Sequence, residues 1–93
     1  MRLEGKNIVV TGAASGIGGA GAVCCAREGA QVAVVDLDRK GVDGIVKEIE
    51  EAGGTARGYV VDVREEKQVR DVFSGIETDF ERVDGLIHAA GIL

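Results

Sequence analysis

The chain has no excess of basic residues, no spaced cysteine framework, no apolar run of bilayer length and no proline. Each of the first three absences removes a class of function. With 11 Lys and Arg against 16 Asp and Glu, the net charge is −5. The pI is near 4.8. Such a chain lacks the positive field that draws nucleic-acid phosphates or anionic lipid, so neither nucleic acid nor a membrane surface is an expected partner. The two cysteines, Cys24 and Cys25, are sequence neighbours, badly placed to bridge each other. They read as small apolar helix residues of a protein in a reducing compartment. The opening residues MRLEGKN lack the apolar region of a secretory signal, and no stretch is long enough to span a bilayer. The expectation is a soluble cytoplasmic protein.

What is abundant is glycine, at 15 of 93 residues. Five glycines fall within TGAASGIGGAG, residues 11–21. A chain of this size makes one small domain at most, with a large share of its apolar surface hard to bury. Glycine, which weakens helices and strands, therefore needs a reason.

Periodicity supplies the frame. NIVVT (7–11) is a short run with an unbroken apolar centre, the pattern of a strand covered on both faces. A helix is expected from Ile17 to Glu28, with Ile17, Ala20 and Cys24 on its inner face and Gly29 as a left-handed cap. QVAVVD (31–36) is a second buried strand. Asp38 can cap a helix with the stripe Val42, Ile45, Val46 and Ile49, which Gly53 and Gly54 end. ARGYVVD (56–62) is strand three. Asp62 and Glu65 have capping-box spacing ahead of a helix with Val69, Val72, Phe73 and Ile76 facing inward. GLIHAAG (85–91) supplies strand four.

The order βαβαβαβ argues for an α/β fold: a three-layer, Rossmann-type parallel sheet, here incomplete, with strand order 3-2-1-4. In that order a crevice opens between strands one and four at their carboxyl ends, where ligands of open α/β sheets bind.

The glycine-rich stretch lies at that crevice. A helix starting near Ser15 to Ile17 presents unpaired N–H groups and positive partial charge to an anion, and glycine lets a diphosphate come close to the amides. Two registers are available. Gly16-Ile17-Gly18-Gly19-Ala20-Gly21 spells G-x-G-x-x-G, with Asp36 twenty positions after Gly16. It begins four residues beyond the strand. Thr11-Gly12-Ala13-Ala14-Ser15-Gly16-Ile17-Gly18 follows the strand directly and fits better. Both put the anion on the same helix. Gly12, Gly16 and Gly18 are assigned to a ligand. Gly19 and Gly21, each costing about 1 kcal/mol against alanine inside a helix, are assigned to close packing of helix on strand.

These motifs resemble the short-chain dehydrogenase/reductase family along the whole chain: Thr11-Gly12-x-x-x-Gly16-Ile17-Gly18 after strand one, Asp36 closing strand two, Asp62-Val63 closing strand three, and Ala90-Gly91 closing strand four. The resemblance implies a Rossmann fold that binds NAD or NADP. It places Gly12, Ser15, Gly16, Ile17 and Gly18 around the pyrophosphate, and Asp36 with Leu37 at the adenosine ribose. Asp62 and Val63 would flank the adenine, and Ala89, Ala90 and Gly91 would complete the cofactor site. For Asp62 an N-cap role carries equal weight. A carboxylate at Asp36 accepts hydrogen bonds from ribose hydroxyls and repels a 2′-phosphate, so NAD is favoured over NADP. Arg39 could compensate, although an arginine at a helix start is more often solvated.

The chain also departs from the family pattern. His88-Ala89-Ala90-Gly91 stands where Asn-Asn-Ala-Gly is usual, and His88, with no second histidine or adjacent nucleophile, reads as a strand residue and not as a ligand or base. The family's catalytic serine and Tyr-x-x-x-Lys are missing. The single tyrosine, Tyr59, is followed four positions on by Val63. No catalytic and no metal-binding residue is therefore assigned. The expectation is the N-terminal, cofactor-gripping part of a secondary alcohol/ketone oxidoreductase, inactive as this chain, with its alcohol or ketone substrate bound only by a complete protein. Two alternatives stay open: a free-standing nucleotide-binding module, or a small α/β interaction protein. In the second the glycines only pack and the exposed edge of strand four recruits a partner; the same edge also offers a surface for self-association.

Overall fold

In the computed structural model, residues 2–14, 16–62 and 64–88 are described. β1 (Asn7–Thr11) is buried at all five positions, as its apolar run predicts. It leads through the glycine-rich loop into α1 (Gly16–Arg27). Then follow β2 (Gln31–Asp36), α2 (Arg39–Glu51), β3 (Thr55–Val60), α3 (Glu66–Phe80) and β4 (Gly85–His88). The sheet has the order β3-β2-β1-β4 with every pair parallel. Residues Ala89, Ala90 and Gly91, expected to close strand four, lie outside the described residues.

Alternate side chains of the buried strands face opposite layers. Ile8, Val10, Val32 and Val34 meet Val42 and Ile49 of α2 and the small residues of α1. Val9, Ala33 and Val35 meet Ile76 and Phe80 of α3. Three layers result, helices on both faces of a parallel sheet, which is the Rossmann-type arrangement.

The helix ends follow from local chemistry. Gly29 at φ +95° and Gly53 at φ +87° take the left-handed conformation that stops α1 and α2. Asp38 caps α2, its Oδ1 accepting the Gly41 N–H at 3.3 Å.

Three expectations are corrected. The inner face of α1 is Gly18, Gly19, Ala22 and Val23, whereas Ile17, Ala20 and Cys24 are exposed. The reason is close approach: a Cβ on Gly19 would lie 2.9 Å from Ile45 Cδ1 and 3.1 Å from the Ala13 carbonyl oxygen. A helix that packs through glycine and alanine leaves no stripe of large apolar residues to read. Gly21 is not a packing glycine, because its Cβ would meet only Ile87 Cδ1, at an ordinary 4.0 Å. Finally, Asp62 does not cap α3. The N-cap is Glu65, without a side-chain cap bond, while Asp62 closes a turn of its own by accepting the Arg64 N–H at 2.9 Å.

β4 carries the apolar edge that its sequence implies. Leu86 is 55% and Ile87 37% exposed, while the same strand pairs with β1 through Ile8–Gly85 to Thr11–His88.

Candidate functional site

The carboxyl ends of β1, β2 and β4 meet at one end of the sheet. Thr11, the last residue of β1, is registered with Val35 on one side and His88 on the other. Its Oγ1 lies 2.6 Å from His88 Nδ1. His88 is thus a strand residue, as expected, but it also ties β4 to the residue from which the glycine-rich loop departs.

The loop turns at once. Gly12 has φ +71°, a conformation that a side chain would strain. From there the chain is anchored on β2 by two bonds: the Ala13 N–H donates to the Val35 carbonyl at 3.2 Å, and the Ala14 N–H donates to Asp36 Oδ2 at 2.9 Å. The second oxygen of the same carboxylate accepts the Asp38 N–H at 3.1 Å. Asp36 therefore holds the loop on one side and the approach to α2 on the other. Sequence reasoning named Asp36 but missed Ala14, since no property of an alanine announces that its amide meets a carboxylate 22 residues away.

The three glycines of the loop differ in environment. A Cβ on Gly18 would overlap the Gly12 carbonyl oxygen, so this glycine lets α1 begin directly on the turn. Gly16 is the opposite case, with no atom within 4 Å of the place a Cβ would take. Gly16 is exposed at the first turn of α1, where the helix dipole favours an anion. Ile17, 69% exposed, and Leu37, 57% exposed, stand at this end as uncovered apolar side chains.

Asp62, which does not cap α3, is paired with a near neighbour. Arg64 pairs with its carboxylate, Nη2 to Oδ2 at 2.9 Å and Nε to Oδ1 at 3.0 Å. These bonds hold the Asp62 carboxyl below its ordinary range. Ser15 and Val63 fall outside the described residues, as do Ala89, Ala90 and Gly91.

Below the crevice, between the sheet and α3, lies a cavity of about 150 Å³ lined by Thr11, Val35, Val61, Phe73, Leu86 and His88 among others. It is an apolar space unsuited to a diphosphate. Two clefts are larger: one of about 610 Å³ includes Asn7 and Gln31, the first residues of β1 and β2, and one of about 570 Å³ runs between α1 and α2 and reaches Ala14 and Gly16 of the glycine-rich loop. Among the described residues, no group of three or more His, Cys, Asp or Glu could hold a metal ion, and no helix is long and apolar enough to cross a membrane.

A glycine-rich turn between β1 and α1, an acid closing β2 and strand order 3-2-1-4 coincide with a match to the short chain dehydrogenase family model over residues 6–93. The chain belongs to the short chain dehydrogenase family. Among its relatives is the 3-oxoacyl-acyl-carrier-protein reductase of Thermotoga maritima, 41% identical over 92 residues, covering 99% of this chain and 37% of the relative. A metagenomic short-chain oxidoreductase solved in complex with NADP superposes with TM-score 0.89 at 31% identity, over 92% of this chain and 39% of the other. NAD⁺-bound xylitol dehydrogenase does so with TM-score 0.89 at 35% identity, over 92% and 33%. The chain spans between 29% and 37% of the length of the curated relatives it matches.

Proposed function

We propose that these residues are the part of an NAD(P)-dependent oxidoreductase that grips the adenosine and diphosphate of the cofactor, with NAD preferred, in a protein that interconverts a secondary alcohol and a ketone. The reading rests on the pairing of an open helix start with a carboxylate across the same loop. The diphosphate would lie against the amides of Gly16, Ile17 and Gly18, where Gly16 leaves its backbone uncovered. Asp36 would accept the ribose hydroxyls. Among the described residues each of its oxygens takes one backbone N–H, out of about four acceptor positions on a carboxylate, so the group is already held in place.

The same carboxylate supports the preference for NAD, because a 2′-phosphate would bring like charge against it. Arg39 is an exposed first residue of α2. Leu37 and Ile17 would pack on the cofactor, and Asp62, Val63 and residues 89–91 would border the adenine and the crevice. A nicotinamide dinucleotide supplies the hydride chemistry when bound; this chain supplies its orientation. No Tyr-x-x-x-Lys occurs in the 93 residues, so the chain alone is proposed to bind without transferring hydride. The exposed β4 edge at Leu86 and Ile87 is the surface through which it would self-associate.

Titration calorimetry tests the reading. NAD and ADP-ribose are expected to bind the folded chain with similar affinity, and NADP about tenfold more weakly, which corresponds to about 1.4 kcal/mol. No heat with any of the three from a folded sample would overturn it.

A further inference from the structure

Gly41, in the first turn of α2, lies against the glycine-rich loop and not against the sheet. A Cβ there would fall 2.5 Å from Ala14 Cβ, 3.2 Å from Asp38 Oδ2 and 3.3 Å from Ala14 Cα. Ala14 has no flexible end to swing away, so such a contact would displace the loop itself. Ala14 is also the residue whose N–H donates to Asp36, and Asp36 in turn accepts the N–H of Asp38, the cap of α2. Ala14, Asp36, Asp38 and Gly41 therefore form a closed brace between the loop and α2.

We propose that Gly41 is a positioning residue for cofactor binding: its missing side chain lets Ala14 seat against α2, which keeps the Ala14 N–H on Asp36 and so fixes both the loop and the Asp36 carboxylate. This rests on the function proposed above. Helix propensity alone argues for alanine at this position, so the close approach to Ala14 accounts for a choice that local structure disfavours.

The test moves one methyl across the contact. Gly41→Ala creates the overlap with Ala14 Cβ; Ala14→Gly removes that Cβ; the double variant carries the methyl on the other side. Two readouts are taken on all four chains: hydrogen exchange of the amide at position 14, which needs no ligand, and calorimetric affinity for ADP-ribose. Gly41→Ala is expected to lose protection at position 14 and to bind ADP-ribose about tenfold more weakly. Adding it to Ala14→Gly is expected to change either readout by less than about threefold, the coupling pattern of residues in contact. Should Gly41→Ala fail to fold, a folded double variant that matches Ala14→Gly supports the same conclusion.

Unchanged protection at position 14 in a folded Gly41→Ala chain overturns the inference. So does a double variant as impaired as Gly41→Ala, since the contact with Asp38 would then be responsible. A folded wild-type chain that ignores ADP-ribose while position 14 responds as expected overturns instead the reading of function, and with it the brace's role in binding.

Discussion

Gly18 rests on the carbonyl of Gly12. A Cβ at position 18 would overlap that oxygen and lie 2.8 Å from the Gly12 carbonyl carbon and 3.0 Å from Ala13 Cα. All three are backbone atoms, so nothing flexible can yield. Gly18→Ala is expected to lose up to about 2 kcal/mol, an overpacking penalty of about 1–3 kcal/mol offset by about 1 kcal/mol of helix propensity. Gly16→Ala meets no atom within 4 Å and is expected to keep or raise stability while weakening ADP-ribose binding, because the proposed diphosphate seat is on this turn. Urea unfolding combined with a binding titration separates the two. A Gly16→Ala chain that binds normally would place the ligand elsewhere.

Asp36→Ala removes the proposed ribose acceptor and also the acceptor for Ala14 and Asp38. Affinity for NAD is expected to fall by about tenfold or more, in line with the loss of a hydrogen bond to a charged group. NADP should lose less, since repulsion of its 2′-phosphate is relieved as the loop loosens. Side-by-side calorimetry gives the ratio. Equal losses for both cofactors would leave Asp36 as a loop latch that does not touch the ribose.

Much of this arrangement is legible in the sequence, for identifiable reasons. β1 and β2 carry their burial in their residues, and the stripe of α2 is made of side chains large enough to reveal a period. Gly29 and Gly53 mark helix ends because few other residues tolerate their positive φ. The inner face of α1 is hidden for the opposite reason: Gly18 and Gly19 pack by having no side chain, so hydrophobic spacing selects Ile17, Ala20 and Cys24 instead. Asp62 misleads because capping spacing to Glu65 is shared by a turn, and Arg64, two residues on, takes the carboxylate. At the site, Asp36 is visible as an acid closing a strand, but its bond to Ala14 depends on where the loop travels.

Asn7 secures the far end of the sheet. Its Nδ2 donates to the Phe80 and Arg82 carbonyls, both at 3.0 Å, and the residue is 8% exposed. Asn7→Ala leaves both carbonyls at the end of α3 without this donor and is expected to cost about 1–3 kcal/mol. The urea midpoint should fall, with faster amide exchange concentrated in the last turn of α3. A loss spread evenly over all three helices would argue against a local anchoring role.

Tyr59 offers a pH-dependent signature. Partial burial first, then its hydrogen bond to Asp79 Oδ2 at 2.8 Å, push the phenol up to about 12. The fold favours the neutral phenol, so its contribution to stability is present in full below the unfolded value of about 10 and is lost as pH rises towards the folded value. Tyr59 is the only tyrosine and tryptophan is absent, so ultraviolet titration follows this group alone. Asp79→Ala should lower the folded midpoint towards about 10. A midpoint indifferent to Asp79 would contradict the bond.

The proposed diphosphate seat at the first turn of α1 is tested by a nuclear magnetic resonance titration of the labelled chain with ADP-ribose. The earliest and largest amide shifts are expected at Gly16, Ile17 and Gly18, followed by Asp36 and Leu37. Saturable shifts confined to the cleft around Asn7 and Phe80, with the Gly16 amide unmoved, would contradict it.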